Sequence, residues 1–169
     1  MKNNIFKFLL IILLISFEQT LVFADVFNFE TKELQILEKG NILKANKGGK
    51  VITDEKVEIY ANEFEYNKSK LTLIAIGDVK LVDEVNQLII NAEKIIYLKK
   101  EDKILINSKV KALVQNLYNI ESENIVYNRK EMKISSAMIT KFYDKEGNKF
   151  STKNFNFNIL RKKIREKNI

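Results

Sequence analysis

Hydrophobic positions along this chain repeat one short frame. Its clearest copy is Ile59, Ala61, Phe64 and Tyr66: two apolar residues alternate, the phase slips by one, and two more lead to an aromatic. Ile90, Ala92, Ile95 and Tyr97 repeat the frame 31 residues later, and Ile120, Ser122, Ile125 and Tyr127 after 30 more. Phe150, Thr152, Phe155 and Phe157 form a fourth copy. Behind each of the first three aromatics runs a second stripe of period two. The stripes are Leu71, Leu73, Ala75, Gly77, Val79 and Leu81; then Ile104, Ile106, Ser108, Val110 and Ala112; then Met132, Ile134, Ser136, Met138, Thr140 and Phe142. An earlier, less regular copy uses Phe27, Phe29, Leu34, Ile36, Gly40 and Ile42, with an insertion expected around Lys47-Gly48-Gly49-Lys50.

A period-two stripe marks a β-strand with one buried face. A repeat of about 30 residues holding two strands predicts stacked supersecondary units rather than one closed sandwich. The phase slip has a geometrical meaning. A shift of one residue sends every later side chain to the opposite face. Both stripes stay inward only if the chain bends there, through a corner or a bulge. Each unit is therefore expected to fold over on itself, with one strand on each of two facing walls.

The turns within units are polar: Asn67-Lys68-Ser69-Lys70, Leu98-Lys99-Lys100-Glu101 and Asn128-Arg129-Lys130-Glu131. Asn and charged residues suit exposed hairpin connections. Links between units, at Asp83 to Gln87, Gln115-Asn116 and Asp144 to Asn148, are polar as well. No helical pattern stands out before the basic stretch from Leu160 to Ile169, which carries Arg161, Lys162, Lys163, Arg165 and Lys167. Stacked two-strand units leave open sheet edges at both ends, and such edges pair readily with other strands.

Residues 1–24 read as a secretory signal. Lys2 and Lys7 supply a basic start, Phe8 to Phe17 an apolar run broken only by Ser16, and Val22 and Ala24 the small-residue cleavage pattern before Asp25. The apolar run is short for a membrane span; the alternative is an uncleaved anchor. The division expected is 1–24 signal, 25–159 a single β domain, and 160–169 a basic tail. The 169 residues include no Cys, His, Pro or Trp, with 29 basic against 22 acidic side chains, net +7. Without Cys there are no disulfides, and the core must come from sheet burial.

Catalysis finds little support in these residues. The lack of His and Cys removes the usual base, the thiol nucleophile and most transition-metal ligands. No catalytic residue, metal site or cofactor is expected. Glu63 with Glu65, and Glu121 with Glu123, are carboxylate pairs at i, i+2. They fall on outward parity beside lysines, which fits a solvated face better than acid–base work. The basic charge alone would suggest nucleic acid. The signal segment and the lack of an Arg-rich patch with interleaved aromatics argue against that, so no nucleic-acid partner is expected.

The stretch from Val57 to Leu113 resembles the OstA-like family of lipopolysaccharide transport and assembly proteins. Tyr60-Ala61-Asn62-Glu63-Phe64-Glu65-Tyr66-Asn67, followed by Leu73-Ile74-Ala75-Ile76-Gly77-Asp78-Val79, carries the likeness. Asn91-Ala92-Glu93-Lys94-Ile95-Ile96-Tyr97 has the same form. The later copies depart from it, with Ser108 and Met138 at the position of Gly77, and Ser122 and Thr152 at that of Ala61. The resemblance implies an all-β, elongated jellyroll, a V of two facing antiparallel sheets. It also implies a periplasmic role at the outer membrane, with lipopolysaccharide as ligand. Further implied partners are other OstA-like proteins joined by edge-strand addition, and an outer-membrane β-barrel.

Two readings of the inward stripes stay open. Apolar stripes of this kind usually form a filled core, and a structural or adhesive repeat protein would have one. The resemblance favours a lipid groove lined by Phe64, Tyr66, Leu73, Ile95, Tyr97, Ile104, Ile106, Ile125, Tyr127, Ile134 and Met138. A groove that stands open without ligand would expose a large apolar patch. Lys68, Lys70, Lys80, Lys99, Lys100, Lys103, Lys109 and Lys111 lie on turns or outward parity, to meet lipid phosphates or to keep edges soluble. Mass spectrometry of the exported protein should find Asp25 at its N-terminus; retained Met1 or Lys2 would indicate an anchored protein instead.

Overall fold

The computed structural model describes residues 26–160 and the strand at 163–166. The expected signal segment at 1–24 and the rest of the basic tail lie outside the described residues. Alternation of buried and exposed residues produces seventeen strands here. In chain order they are β1 (Phe27–Thr31), β2 (Gln35–Leu37), β3 (Ile42–Ala45), β4 (Gly49–Thr53), β5 (Glu58–Ala61), β6 (Glu63–Asn67), β7 (Thr72–Asp83) and β8 (Leu88–Leu98). They continue as β9 (Lys103–Ile106), β10 (Val110–Val114), β11 (Tyr118–Ser122), β12 (Ile125–Asn128), β13 (Lys133–Ser136), β14 (Thr140–Tyr143), β15 (Lys149–Thr152), β16 (Phe155–Asn158) and β17 (Lys163–Glu166). Two short 3-10 turns, Glu38–Gly40 and Lys99–Glu101, are the helical elements among the described residues.

The antiparallel registers sort these strands into two walls. The first runs β1, β4, β5, β7, β8, β10, β11, β14, β15. The second runs β2, β3, β6, β7, β8, β9, β12, β13, β16, β17. β7 and β8 are long enough to serve both, so the walls are halves of one continuous sheet folded along a line. Each 30-residue unit places one hairpin in each wall, and the all-β, folded-over architecture expected from the repeat is the one found.

The fold line explains the phase slip. In the first half of a unit the chain crosses in three steps, from Ala61 to Phe64 or from Ser122 to Ile125; in the second half it crosses in four, from Ala75 to Val79 or from Ile106 to Val110. All eight of these residues are buried. Neighbouring strands therefore differ by one residue at the bend. β7 and β8 show the resulting bulge: the register shifts between Ile76 and Val79, so Gly77 and Asp78 oppose Glu93. Gly77 sits at φ +78, and Asp78 at φ +48. Asn62 docks on this corner, its backbone N donating to Ile76 O at 3.2 Å and Gly77 O at 3.0 Å.

The corner also corrects two expectations. Met138 holds the place of Gly77 in its unit and is 43 % exposed, not inward, because the middle residue of a four-step crossing lies on the bend. Leu34 and Ile36 are also exposed, at 39 % and 66 %. Ile36 lies on β2 and Leu34 just before it, at the edge of the second wall among the described residues, and Phe27 and Phe29 from β1 cover Tyr66 and Phe64 instead, with ring centroids 4.8 and 6.2 Å apart. Around the expected insertion, the crossing between buried Ala45 and Val51 takes six steps rather than four. Beyond the domain boundary expected at 159, residues 163–166 pair with β16 as a further strand.

A Cβ on Gly77 would lie 2.7 Å from Asn62 Nδ2 and 3.0 Å from Asn62 Cβ, in a backbone conformation that L-residues avoid. Gly147 has φ +86 but open space around it. Gly77→Ala should therefore cost about 1–3 kcal/mol, and Gly147→Ala about 1 kcal/mol, measured by urea unfolding.

Candidate functional site

The space between the walls is the candidate site, and register builds it row by row. Across the second wall Leu43, Tyr66, Leu73, Tyr97, Ile104, Tyr127, Ile134 and Phe157 stand directly opposite one another on eight successive strands. Across the first wall Phe29, Val51, Ile59, Leu81, Ile90, Ala112, Ile120, Phe142 and Phe150 do the same on nine. Aromatic and aliphatic side chains alternate through much of the second row, a pairing that stabilises sheets.

The structure brings together ten of the eleven residues expected to line the interior. Phe64, Tyr66, Leu73, Ile95, Tyr97, Ile104, Ile106, Ile125, Tyr127 and Ile134 are all at most 2 % exposed and belong to one cluster. Met138 is left outside it. The interior is closed rather than standing open as a groove: the walls pack on each other, and their apolar rows are buried except at the ends of the first, where Phe29 is half-buried and Phe150, expected inward, is 42 % exposed. A concavity of about 1100 Å3 lies instead along the bend, where Asp78, Glu93, Lys109, Glu123 and Met138 are among its lining.

The side opposite the bend is the mouth, where the hairpin turns of the two walls meet. Here lies the feature that the sequence reading missed. The turn at 128–131 was expected to be exposed, yet the Arg129 side chain is only 7 % exposed. Its Nε donates to Asp83 Oδ2 at 3.0 Å; its Nη1 donates to Asp102 Oδ1 at 2.9 Å, Glu55 Oε2 at 2.8 Å and the Tyr97 hydroxyl at 3.2 Å. Asp83, 1 % exposed, also accepts from the Tyr127 hydroxyl at 2.8 Å and from Asn86 Nδ2 at 2.9 Å. Lys99 reaches across to Glu55 at 2.6 Å and to Asp54. Asp83 ends β7 in the first wall and Asp54 and Glu55 lie on a turn of that wall, whereas Arg129, Lys99 and Asp102 belong to turns of the second.

Two inward tyrosines thus have amphipathic duty. Their rings fill the apolar row while their hydroxyls end in the ionic cluster, Tyr97 on Asp102 at 2.6 Å and Tyr127 on Asp83. Burial, and then the adjacent carboxylates, hold both phenols well above the usual range. Burial alone would push the Asp83 carboxyl up; hydrogen bonds from Asn86, Tyr127 and Arg129 outweigh it and hold it below the ordinary value. Burial likewise opposes the charge on Lys99, and its contacts with Asp54 and Glu55 overcome that. A sequence signal did exist: a basic residue follows the aromatic by two in Tyr66-Asn67-Lys68, Tyr97-Leu98-Lys99 and Tyr127-Asn128-Arg129.

The other lysines and the carboxylate pairs are more ordinary. Lys103 pairs with Glu101, Lys111 with Glu121 and Lys44 with Glu65, all partly or fully solvated and therefore weak. Among the described residues no group of three or more His, Cys, Asp or Glu is placed to hold a metal ion.

Removing one partner of a buried pair leaves the other uncompensated. Arg129→Met should therefore cost about 3–5 kcal/mol, and Tyr127→Phe about 1–2 kcal/mol, in urea unfolding at pH 7. The carboxyl of Asp83 is held low in the folded state, so its contribution is present above the unfolded value near 3.9 and lost as pH falls through the folded one. Asp83→Asn should thus lower Tm at pH 7 and flatten the acid limb of Tm against pH below about pH 4.

No family model matches the chain, and no curated protein matches it by sequence. Among solved structures it is similar to the crystal structure of LptH from Pseudomonas aeruginosa, the LptA-homologous periplasmic component of the lipopolysaccharide transport device. The TM-score is 0.52 at 13 % identity, over 60 % of this chain and 75 % of that one. Across that span the folded-over antiparallel sheet described above matches the β-jellyroll fold of that structure.

Proposed function

We propose that this chain is a periplasmic carrier of lipopolysaccharide, holding the acyl chains between its walls and passing them toward the outer membrane without covalent chemistry. The observation that carries the reading is the pair of apolar rows buried between the two walls, on a fold similar to that of a periplasmic transport component. Each methylene moved from water into such an interior gains about 0.8 kcal/mol. Since the walls are packed together, acyl chains would replace wall-to-wall contacts with wall-to-chain contacts. In this reading the free edges β1 and β2 at one end, and β15 and β17 at the other, take strands from neighbouring transport proteins and from the periplasmic part of an outer-membrane β-barrel.

The packed interior favours a second reading, a structural repeat protein whose core is simply filled. One experiment separates the two. A photo-crosslinking side chain at buried Ile104 or Tyr97 should capture lipopolysaccharide in cells, whereas the same group at outward Lys111 should not. A folded protein that captures none at either buried position would leave the filled-core reading standing.

A further inference from the structure

An antiparallel sheet with one face in water should alternate apolar and polar residues along each strand. Four strands in the middle of the second wall do not. β7 runs Leu73-Ile74-Ala75-Ile76, β8 Ile95-Ile96-Tyr97-Leu98, β9 Ile104-Leu105-Ile106 and β12 Ile125-Val126-Tyr127. Every second residue of these runs, beginning with Leu73, Ile95, Ile104 and Ile125, belongs to the interior cluster. Ile74, Ile96, Leu105 and Val126 do not, and each is half-buried. The registers set these four side by side: Ile74 opposite Ile96, Ile96 opposite Leu105, and Leu105 opposite Val126. They make an apolar row on the outer face, widened by Ile76, 36 % exposed, and by half-buried Leu98. All four strands are paired on both sides, so strand addition at an edge does not account for the row.

Lysines flank it on both sides. Toward the bend, Lys94 stands opposite Ile76. Toward the mouth, Lys103 stands opposite Leu98, and Lys133 opposite Asn128. Beyond them Lys70, Lys100 and Lys130 stand exposed on successive turns of this wall, at a spacing of 30 residues. The nearby acidic side chains are engaged or lie to one end. Glu101 and Glu131 pair with Lys103 and Lys133, Asp102 turns to Arg129, and Glu63 and Glu65 close the β6 end. The first wall differs. Its outer apolar row is shorter, Val82, Ile89 and Leu113, ended by Glu58 and Asn119. Its turns carry Asp54, Glu55, Glu84, Asp144 and Glu146 against Lys56 and Lys145.

We propose that the outer face of the second wall docks on an anionic lipid surface, with its aliphatic row at the headgroup boundary and its lysines on lipid phosphates. An apolar surface ringed by lysines suits such a membrane. Protein interfaces favour aromatic residues and Arg and are depleted in Lys, whereas this row is aliphatic and its flanks are lysine. Docking uses the outside of the wall and leaves interior and mouth untouched, so it goes beyond the carrier role and does not depend on it.

Flotation with vesicles tests the assignment. The protein should bind vesicles of phosphatidylglycerol with phosphatidylcholine, bind those of phosphatidylcholine alone far less, and come off as salt rises. Lys94→Gln and Lys100→Gln should each lower the partition roughly fivefold. Lys141→Gln, on the outer face of the first wall, should leave it unchanged. All three lysines are exposed, so the fold survives each substitution. The chain has no Cys, and Val126→Cys carrying a nitrobenzoxadiazole dye therefore reports contact directly. Its emission should shift to the blue on the anionic vesicles, and the same dye on Leu113→Cys should not respond. Equal losses from Lys94→Gln and Lys141→Gln would reveal attraction by the net charge alone and overturn the proposal. Equal binding to both kinds of vesicle, as a membrane anchor gives, also overturns it. So does a blue shift at position 126 that needs no vesicles and grows with protein concentration, which would assign the face to a second copy of this chain.

Discussion

Keeping every apolar side chain inward while the chain passes from one wall to the other is the constraint that shapes this molecule. A strand has two faces, and a bend that used equal numbers of residues in neighbouring strands would turn one of them inside out. The chain solves this with a one-residue mismatch at the fold line, three steps in one strand and four in the next. The extra residue needs a backbone that leaves the strand region, met at Gly77 and Asp78 by positive φ. Asn62 then caps the corner through two backbone carbonyls. The repeat of about 30 residues follows, since it is the length of two strands in each wall with their crossings and turns.

A bend on one side leaves a mouth on the other. Closing it with apolar turns would expose those turns to water, so the chain closes it with ions that water can partly reach. Lys99 and Glu55 form the wetter part and Arg129 with Asp83 the drier part. Buried charges are costly unless fully partnered, and here the partnering is dense: Asp83 accepts from three side chains, and Arg129 donates to four groups. Tyr97 and Tyr127 link this polar seam to the apolar rows, each ring in one and each hydroxyl in the other.

A closed interior has a physical advantage. Apolar rows left open would be a large hydrophobic patch in water, and such patches associate. Packed walls avoid this. In this repeat architecture each unit contacts mainly its neighbours.

Much of this was written in the chain order. The period-two stripes determined which residues face inward: from Ile59 to Tyr127 the frame residues are buried apart from Ala92 beside the bulge. The phase slip at Ala61–Phe64 determined that the sheet folds over, because parity is a local property of a strand. Other features depended on what lies across space. Met138 reads as inward until the four-step crossing places it on the bend, and Ile36 until the sheet turns out to end beside it. Arg129 reads as a solvated turn residue because its partners Asp83 and Glu55 lie 46 and 74 positions away. Periodicity reports the face of a strand; only tertiary structure decides which turn meets which, and therefore where a charge is buried and what closes the mouth.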